Sequence, residues 1–214
     1  MYPIHKDGKV RDPIGLADGA NIIGGNEKST VKLQGDRWVE NKHASITISE
    51  NEAFISDLNT RFGTYVRIRV EKSLKNNDEI RIGRALFRIE LPWTKVMSGP
   101  DKTIWLGTNQ EEEDIFGRLL RIGANDTILQ AFFLHKKSVV IGRKQGDILM
   151  PNDHVVSGKH AEIIPQDAET CLIRDLGSMN GSYYRIHDSY PLNDGDYFLV
   201  GGHLMLLRKL DGKN

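Results

Sequence analysis

The amino-acid sequence predicts an all-β protein built as two β-sandwiches in tandem, each of two twisted sheets. Two observations predict it. Short runs rich in β-branched and aromatic residues recur throughout, divided by Gly, Asn and Asp, which is the pattern of sandwich or barrel strands. The chain also repeats itself at a nearly fixed offset of 118 residues, too long for a solenoid unit and about right for a whole small domain.

The repeat can be followed element by element. In the first copy IIGG (Ile22–Gly25) is followed by VENKHASI (Val39–Ile46), DLNTRFGTYVRI (Asp57–Ile68) and LKNNDEIRIG (Leu74–Gly83). The second copy returns them as VIGR (Val140–Arg143), VSGKHAEI (Val156–Ile163), DLGSMNGSYYRI (Asp175–Ile186) and LNDGDYFLVG (Leu192–Gly201). His43 and His160 lie 117 apart, so only single-residue insertions and deletions separate the copies. Strands are expected in the second copy over Thr127–Leu134, Ser138–Gly142, Asp147–Met150, His160–Ile164, Cys171–Asp175, Ser182–Ile186, Tyr197–Val200 and His203–Leu207. Convincing long helices are absent. The stretch EEEDIFGRLLRI (Glu111–Ile122) reads as opening with a helical turn that Gly117 interrupts.

These limits divide the chain into a first domain at 1–93, a linker at 94–114 and a second domain at 115–214. The linker is polar and turn-rich; its large apolar pair, Trp105 and Leu106, is expected to pin it onto a domain. Each copy has roughly a hundred residues, enough for a modest core of its own.

Composition excludes several classes. The formal net charge is zero, and the balance stays flat when cut: 15 basic against 13 acidic residues in 1–93, 2 against 5 in 94–114, and 12 against 11 in 115–214. No basic field of the kind that attracts nucleic acid is present, and no nucleic-acid partner is expected. The single cysteine, Cys171, rules out an intrachain disulfide framework and fits a reducing compartment; its setting, TCLIRD, reads as a strand with a small buried thiol. The N-terminus has no apolar signal core, and no apolar run approaches a membrane-spanning length. A soluble intracellular protein with no membrane association is expected.

Enzyme signatures fail one by one. GGNEKST (Gly24–Thr30) has Glu27 before Lys28, where a phosphate loop needs glycine. HExxH, paired CxxC and GxSxG do not occur, and the seven histidines are scattered, with His5, His135, His187 and His203 read as surface or core residues. No catalytic residue, metal ligand or cofactor is assigned, and a non-enzyme is expected.

What remains is a constellation in the second copy: Gly142-Arg143, Ser157-Gly158-Lys159-His160 and Ser178-Met179-Asn180-Gly181. Together with LNDGDYFLVG it resembles the forkhead-associated (FHA) domain family, whose pattern is a GR pair, an SxxH loop, a DLGSxNGT-like turn and an LxxGDxxxxG segment. The resemblance covers Phe116–Lys209 well and Pro3–Pro92 more faintly. It implies a β-sandwich whose loops at one end bind phosphothreonine peptides, hence phosphothreonine-containing proteins as partners.

The residue types suit that task. A phosphothreonine brings about −1.5 to −2 charge and three acceptor oxygens. Arg143 offers a planar guanidinium that grips two oxygens at once, and Ser157 adds a hydroxyl donor. Gly158 leaves its backbone N–H uncrowded, Lys159 supplies positive potential, and Asn180 suits the peptide backbone beside the phosphoresidue. Met179 stands where the family often has threonine, and so offers only its backbone N–H. By resemblance, His160 fixes the Ser157 loop, with Gly142 and Gly181 as further support. The loop Asn152–Val156 is expected to read the third residue after the phosphothreonine, with His154 and Val155 facing it and Val155 favouring an aliphatic side chain there.

Each has a plainer reading: Arg143 as a solvated strand-end arginine, Ser157 as a turn support, Asn180-Gly181 as a hairpin pair. The first copy serves as a control. It keeps His43, Lys42, Gly63, Asp57, Asp78 and Gly83 at the positions of His160, Lys159, Gly181, Asp175, Asp196 and Gly201, but has Gly25 for Arg143, Glu40 for Ser157 and Phe62 for Asn180. Scaffold positions are kept and ligand donors are lost, so the first copy is expected not to bind phosphothreonine at this site, unless Lys42, Arg61 and Arg67 rebuild an anion site nearby. Three readings stay open: a phosphothreonine-dependent adaptor whose first domain is structural or self-associates as a homodimer, a phosphate-independent assembly module, and a regulatory segment of a larger signalling enzyme such as a kinase.

Overall fold

The structure is a computed structural model that describes residues 1–4, 8–50, 52–92, 115–135 and 137–209. The expected linker and its Trp105-Leu106 pair lie outside the described residues. Among those described, nineteen strands and no α-helix occur. The first copy supplies β1 (Tyr2–Ile4), β2 (Gly19–Gly24), β3 (Val31–Lys32), β4 (Ala44–Ser49), β5 (Glu52–Asp57), β6 (Thr64–Arg67), β7 (Glu71–Lys75), β8 (Glu79–Ile82) and β9 (Ala85–Glu90). The second copy supplies β10 (Ile115–Ile122), β11 (Ile128–His135), β12 (Val139–Gly142), β13 (Ile148–Leu149), β14 (Ala161–Pro165) and β15 (Thr170–Asp175). It ends with β16 (Ser182–Arg185), β17 (Tyr190–Leu192), β18 (Tyr197–Val200) and β19 (His203–Leu206). From Ile115 the segment is a strand, β10, paired on both sides, with β9 and with β11; the opening residues 111–114, where the helical turn is expected, lie outside the described residues.

Two compact units form, and they do not follow the copy boundaries. Unit 1 joins Met1–Arg67 to Tyr183–Asn214; unit 2 is Ile68–Ser182. Each sandwich therefore combines the front of one copy with the closing strands of the other, whereas the repeat boundaries assign 1–93 and 115–214 to separate domains. In unit 1 one sheet runs β17-β5-β4-β2-β3 and the other β1-β19-β18-β6-β16. In unit 2 one runs β13-β12-β14-β15-β7 and the other β8-β9-β10-β11.

The pairings explain how the exchange is satisfied. Second-copy β17 lies against first-copy β5, with Tyr190 opposite Ile55 and Leu192 opposite Ala53. First-copy β7 lies against second-copy β15, with Leu74 opposite Cys171 and Lys72 opposite Ile173. The two chain crossings run side by side, and the Ile68 N–H donates to Ser182 O at 2.8 Å. The closing strands of the copies carry equivalent apolar patterns, so each fills the other's place without leaving a core position polar.

The unit 1 core is mixed accordingly. Ile23, Ile46 and Ile55 of the first copy pack with Leu192, Phe198, Val200 and Met205 of the second. In unit 2, Leu74, Ile80 and Phe87 of the first copy are fully buried, as are Leu119, Ile141 and Ile163 of the second. Leu74 alone contributes about 1.5–3 kcal/mol by its burial. Cys171 sits in this core with no exposed surface; burial, aided by the charge of Asp78, pushes its thiol up to about 12. That makes it an inert core residue rather than a nucleophile. No helix among the described residues is long and apolar enough to cross a membrane.

Candidate functional site

Every residue of the second-copy constellation falls in unit 2, on loops at the ends of β12, β14 and β15. Three strands thus deliver three loops to one place. Gly142 ends β12 where the 157–160 loop passes so close that a Cβ would stand 2.2 Å from Gln145 O and 2.3 Å from Gly158 O. Only glycine fits, and the approach lets the Arg143 N–H donate to Ser157 O at 2.9 Å while Lys144 and Gln145 N–H donate to Gly158 O.

His160 ties the loops together from beneath. It is fully buried; Nδ1 accepts the Ser157 N–H at 3.0 Å, so Nε2 holds the ring proton and lies 3.2 Å from Gly181 O. Asp175 gathers the turn after β15. Its carboxylate accepts the Ser178 N–H and the hydroxyls of Ser178 and Ser182, all at 2.7–2.8 Å. Gly181 takes the positive φ of 81°, and its N–H donates to Ser178 Oγ. Ser178 is therefore an internal brace, a role its position beside Asp175 and Gly181 could have suggested.

On this frame stand the groups that face outward. Arg143 is half-buried, and its Nε is a buried donor with no hydrogen-bond partner among the described residues. Ser157 Oγ accepts the Met179 N–H at 3.1 Å, which leaves its own proton to donate. A Cβ on Gly158 would meet nothing within 4 Å, and Lys159 and His154 are exposed. The Met179 side chain is 85 % exposed.

Two of the donors assigned to the ligand also have partners within the protein. Met179's backbone N–H, assigned to the ligand from sequence, is already given to Ser157 Oγ and holds the two loops in register. Asn180, also assigned to the ligand, directs an amide N–H to Val155 O at 2.7 Å. It is not at positive φ, so it is no hairpin necessity; it is a strut that fixes the 152–156 loop. Neither bond could be foreseen from spacing, because both depend on how closely the loops approach in space.

The first copy repeats the frame and refills the apex. His43, fully buried, accepts the Glu40 N–H at Nδ1 and meets Gly63 O through Nε2, and Asp57 accepts from Thr60 and Thr64 as Asp175 does from Ser178 and Ser182. Where Ser157 Oγ receives Met179 N–H, Glu40 Oε1 receives Arg61 N–H at 2.8 Å. Where Asn180 reaches Val155, Phe62 meets Trp38 edge to face at 4.8 Å between ring centroids. Of the three cations considered for a rebuilt anion site, two lie over rings, Arg61 5.5 Å from Phe62 and Arg67 5.4 Å from Tyr197, and Lys42 is exposed.

A family model described as FHA domain matches twice, at residues 21–83 and 139–201. The chain belongs to the FHA domain family. The frame shared by the copies, from Gly24 or Gly142 to Gly83 or Gly201, lies within the matched segment in each. Among curated proteins it is similar to the E3 ubiquitin-protein ligase CHFR of Xenopus tropicalis, 31 % identical over 96 residues, which is 42 % of this chain and 15 % of the ligase. The chain thus spans less than a sixth of that relative. Among solved structures it is similar to the FHA domain of the CT664 protein from Chlamydia trachomatis, 30 % identical over 44 % of this chain and 99 % of that one, with a TM-score of 0.27. It is also similar to a chain from a structural and functional study of phosphothreonine-dependent FHA domain interactions, 28 % identical over 41 % of this chain and 92 % of that one, with a TM-score of 0.23.

Proposed function

We propose that this protein is a phosphothreonine-dependent binding module, a non-enzymatic adaptor whose second FHA copy docks phosphorylated partner proteins. The observation that carries the reading is Arg143: a buried guanidinium nitrogen with no acceptor among the described residues, beside a serine hydroxyl whose proton is free to donate. A guanidinium whose donors are not all used within the protein offers a dianionic phosphate a charge-assisted hydrogen bond. Membership of the FHA family supports the same ligand. Gly158 and Lys159 border the site, one leaving space and the other adding charge.

The first copy takes no phosphate in this reading. Glu40 holds a carboxylate where the phosphate would lie, already bonded to Arg61 N–H, and Gly25 supplies no guanidinium. Its apex is instead an aromatic and cationic surface, with Arg37 4.6 Å over the Trp38 ring, suited to phosphate-independent contacts.

Titration with a phosphothreonine peptide pool, its unphosphorylated twin and a phosphoserine pool tests the function. Binding confined to the phosphorylated pools, strongest for phosphothreonine, is expected. Equal binding of phosphorylated and unphosphorylated pools gives the case to a phosphate-independent assembly module.

A further inference from the structure

The strand exchange places a first-copy arginine beside the second-copy site. The turn between β8 and β9, Gly83-Arg84, packs on the loop that Asn180 braces. The Arg84 N–H donates to Asp153 Oδ2 at 2.7 Å, and Asp153 Oδ1 accepts the Val155 N–H at 3.0 Å. A Cβ on Gly83, at φ 59°, would stand 2.5 Å from Val156 Cγ2, so the turn and the loop are in direct contact. In unit 1 the corresponding contact is made by Gly202, whose N–H donates to Asp36 Oδ2 at 3.0 Å. That position has no side chain. Without the exchange, the second-copy loop would meet Gly202, not Arg84.

Arg84 opens onto a cleft of about 230 Å³ in unit 2. Arg121, Gln130 and Asn152 line it with Arg84, over Phe87 and Phe132, whose ring centroids are 6.4 Å apart. Arg121 is the direct cross-strand partner of both Phe87 and Gln130, so the three share one sheet face. Its guanidinium makes no ion pair or hydrogen bond among the described residues. The acid in the cleft, Asp153, is committed to two backbone N–H groups and lies 3.9 Å from Arg84 Nε. Two arginines against one satisfied carboxylate leave the cleft cationic. Its volume is below the roughly 300 Å³ at which small-molecule pockets begin, so a side chain is the fitting occupant.

Resting on the phosphothreonine reading above, we infer that this cleft is a second subsite for the same peptide, taking an acidic side chain beyond the residue that faces Val155, and that the first copy contributes to specificity through Arg84. The loop running from Ser157 back to Asn152 leads from the phosphate site to the cleft without a break, so one extended peptide reaches both. Carboxylate recognition falls to Arg121 and Arg84, with Gln130 and Asn152 as neutral donors at the rim.

The test uses fluorescence anisotropy on the full chain with two phosphothreonine peptides, alike except that one carries Asp or Glu past the position facing Val155 and the other Asn or Gln. Wild type is expected to prefer the acidic peptide about fivefold, as a pair of exposed guanidinium contacts provides. Arg121→Ala and Arg84→Ala, the latter keeping its backbone bond to Asp153, are expected to erase the preference while still binding the amide peptide at wild-type affinity. Equal wild-type affinity for both peptides overturns the subsite, and so does a parallel loss on both peptides in the variants. Binding of neither peptide by wild type, with unphosphorylated twins as controls, removes the phosphothreonine reading itself.

Discussion

Leu74 of the first copy and Cys171 of the second are direct cross-strand partners in the sheet that carries the candidate site. Neither has exposed surface. Their pairing is the mark of the exchange: a separate first sandwich would put Leu74 beside its own β5.

Leu74→Cys tests it. Facing residues of an antiparallel pair have Cα atoms about 4.5–5.5 Å apart, within the range a disulfide spans. Refolded under oxidising conditions, the variant is expected to join its introduced thiol to Cys171 in a disulfide within a single chain, seen by peptide mapping of the monomer. Two free thiols in a folded monomer would contradict the exchange.

The native Cys171 thiol should be inert. Its folded pKa of about 12 lies above the ordinary value of 9.0, so the folded state favours the neutral thiol. The resulting stability is fully present below pH 9 and is lost as pH rises from 9 to 12. Thiol-specific reagents at about pH 8 are expected to modify Cys171 only after denaturant is added. Over pH 9 to 12 the urea midpoint of wild type should fall further than that of Cys171→Ala.

His160→Ala removes the ring that joins Ser157 N–H to Gly181 O and leaves a cavity. A loss of about 3 kcal/mol is expected in urea unfolding of unit 2, with weaker phosphopeptide binding. His43→Ala should destabilise unit 1 comparably and leave peptide affinity unchanged.

Much of this was legible in the sequence. The duplication, the β class and the frame shared by the copies all follow from comparing them, because buried His43 and His160, and the turn acids Asp57 and Asp175, tolerate little change in either. The exchange was not legible. LKNNDEIRIG and LNDGDYFLVG present the same alternation, so periodicity cannot say which sandwich each one closes. Nor could spacing show that Met179 N–H and Asn180 Nδ2 are used inside the site, or that Arg84 stands beside Asp153. Those facts belong to loop approach in space.

The first copy should be repairable in part. Gly25→Arg with Glu40→Ser removes the opposing carboxylate and restores the guanidinium, while Phe62→Asn replaces the contact with Trp38 by a loop strut. The triple variant is expected to bind two phosphothreonine peptides per chain by calorimetry, and Glu40→Ser alone only one. A stoichiometry of one in the triple variant would show that the first-copy apex differs in more than these side chains.

The most direct measurement is calorimetric titration of wild type and Arg143→Ala with one phosphothreonine peptide. Wild type is expected to bind in the micromolar range, about −8 kcal/mol, and Arg143→Ala to lose at least about 3 kcal/mol of that, leaving no measurable heat. Retention of wild-type affinity by Arg143→Ala would contradict the assignment of the phosphate to the second FHA copy.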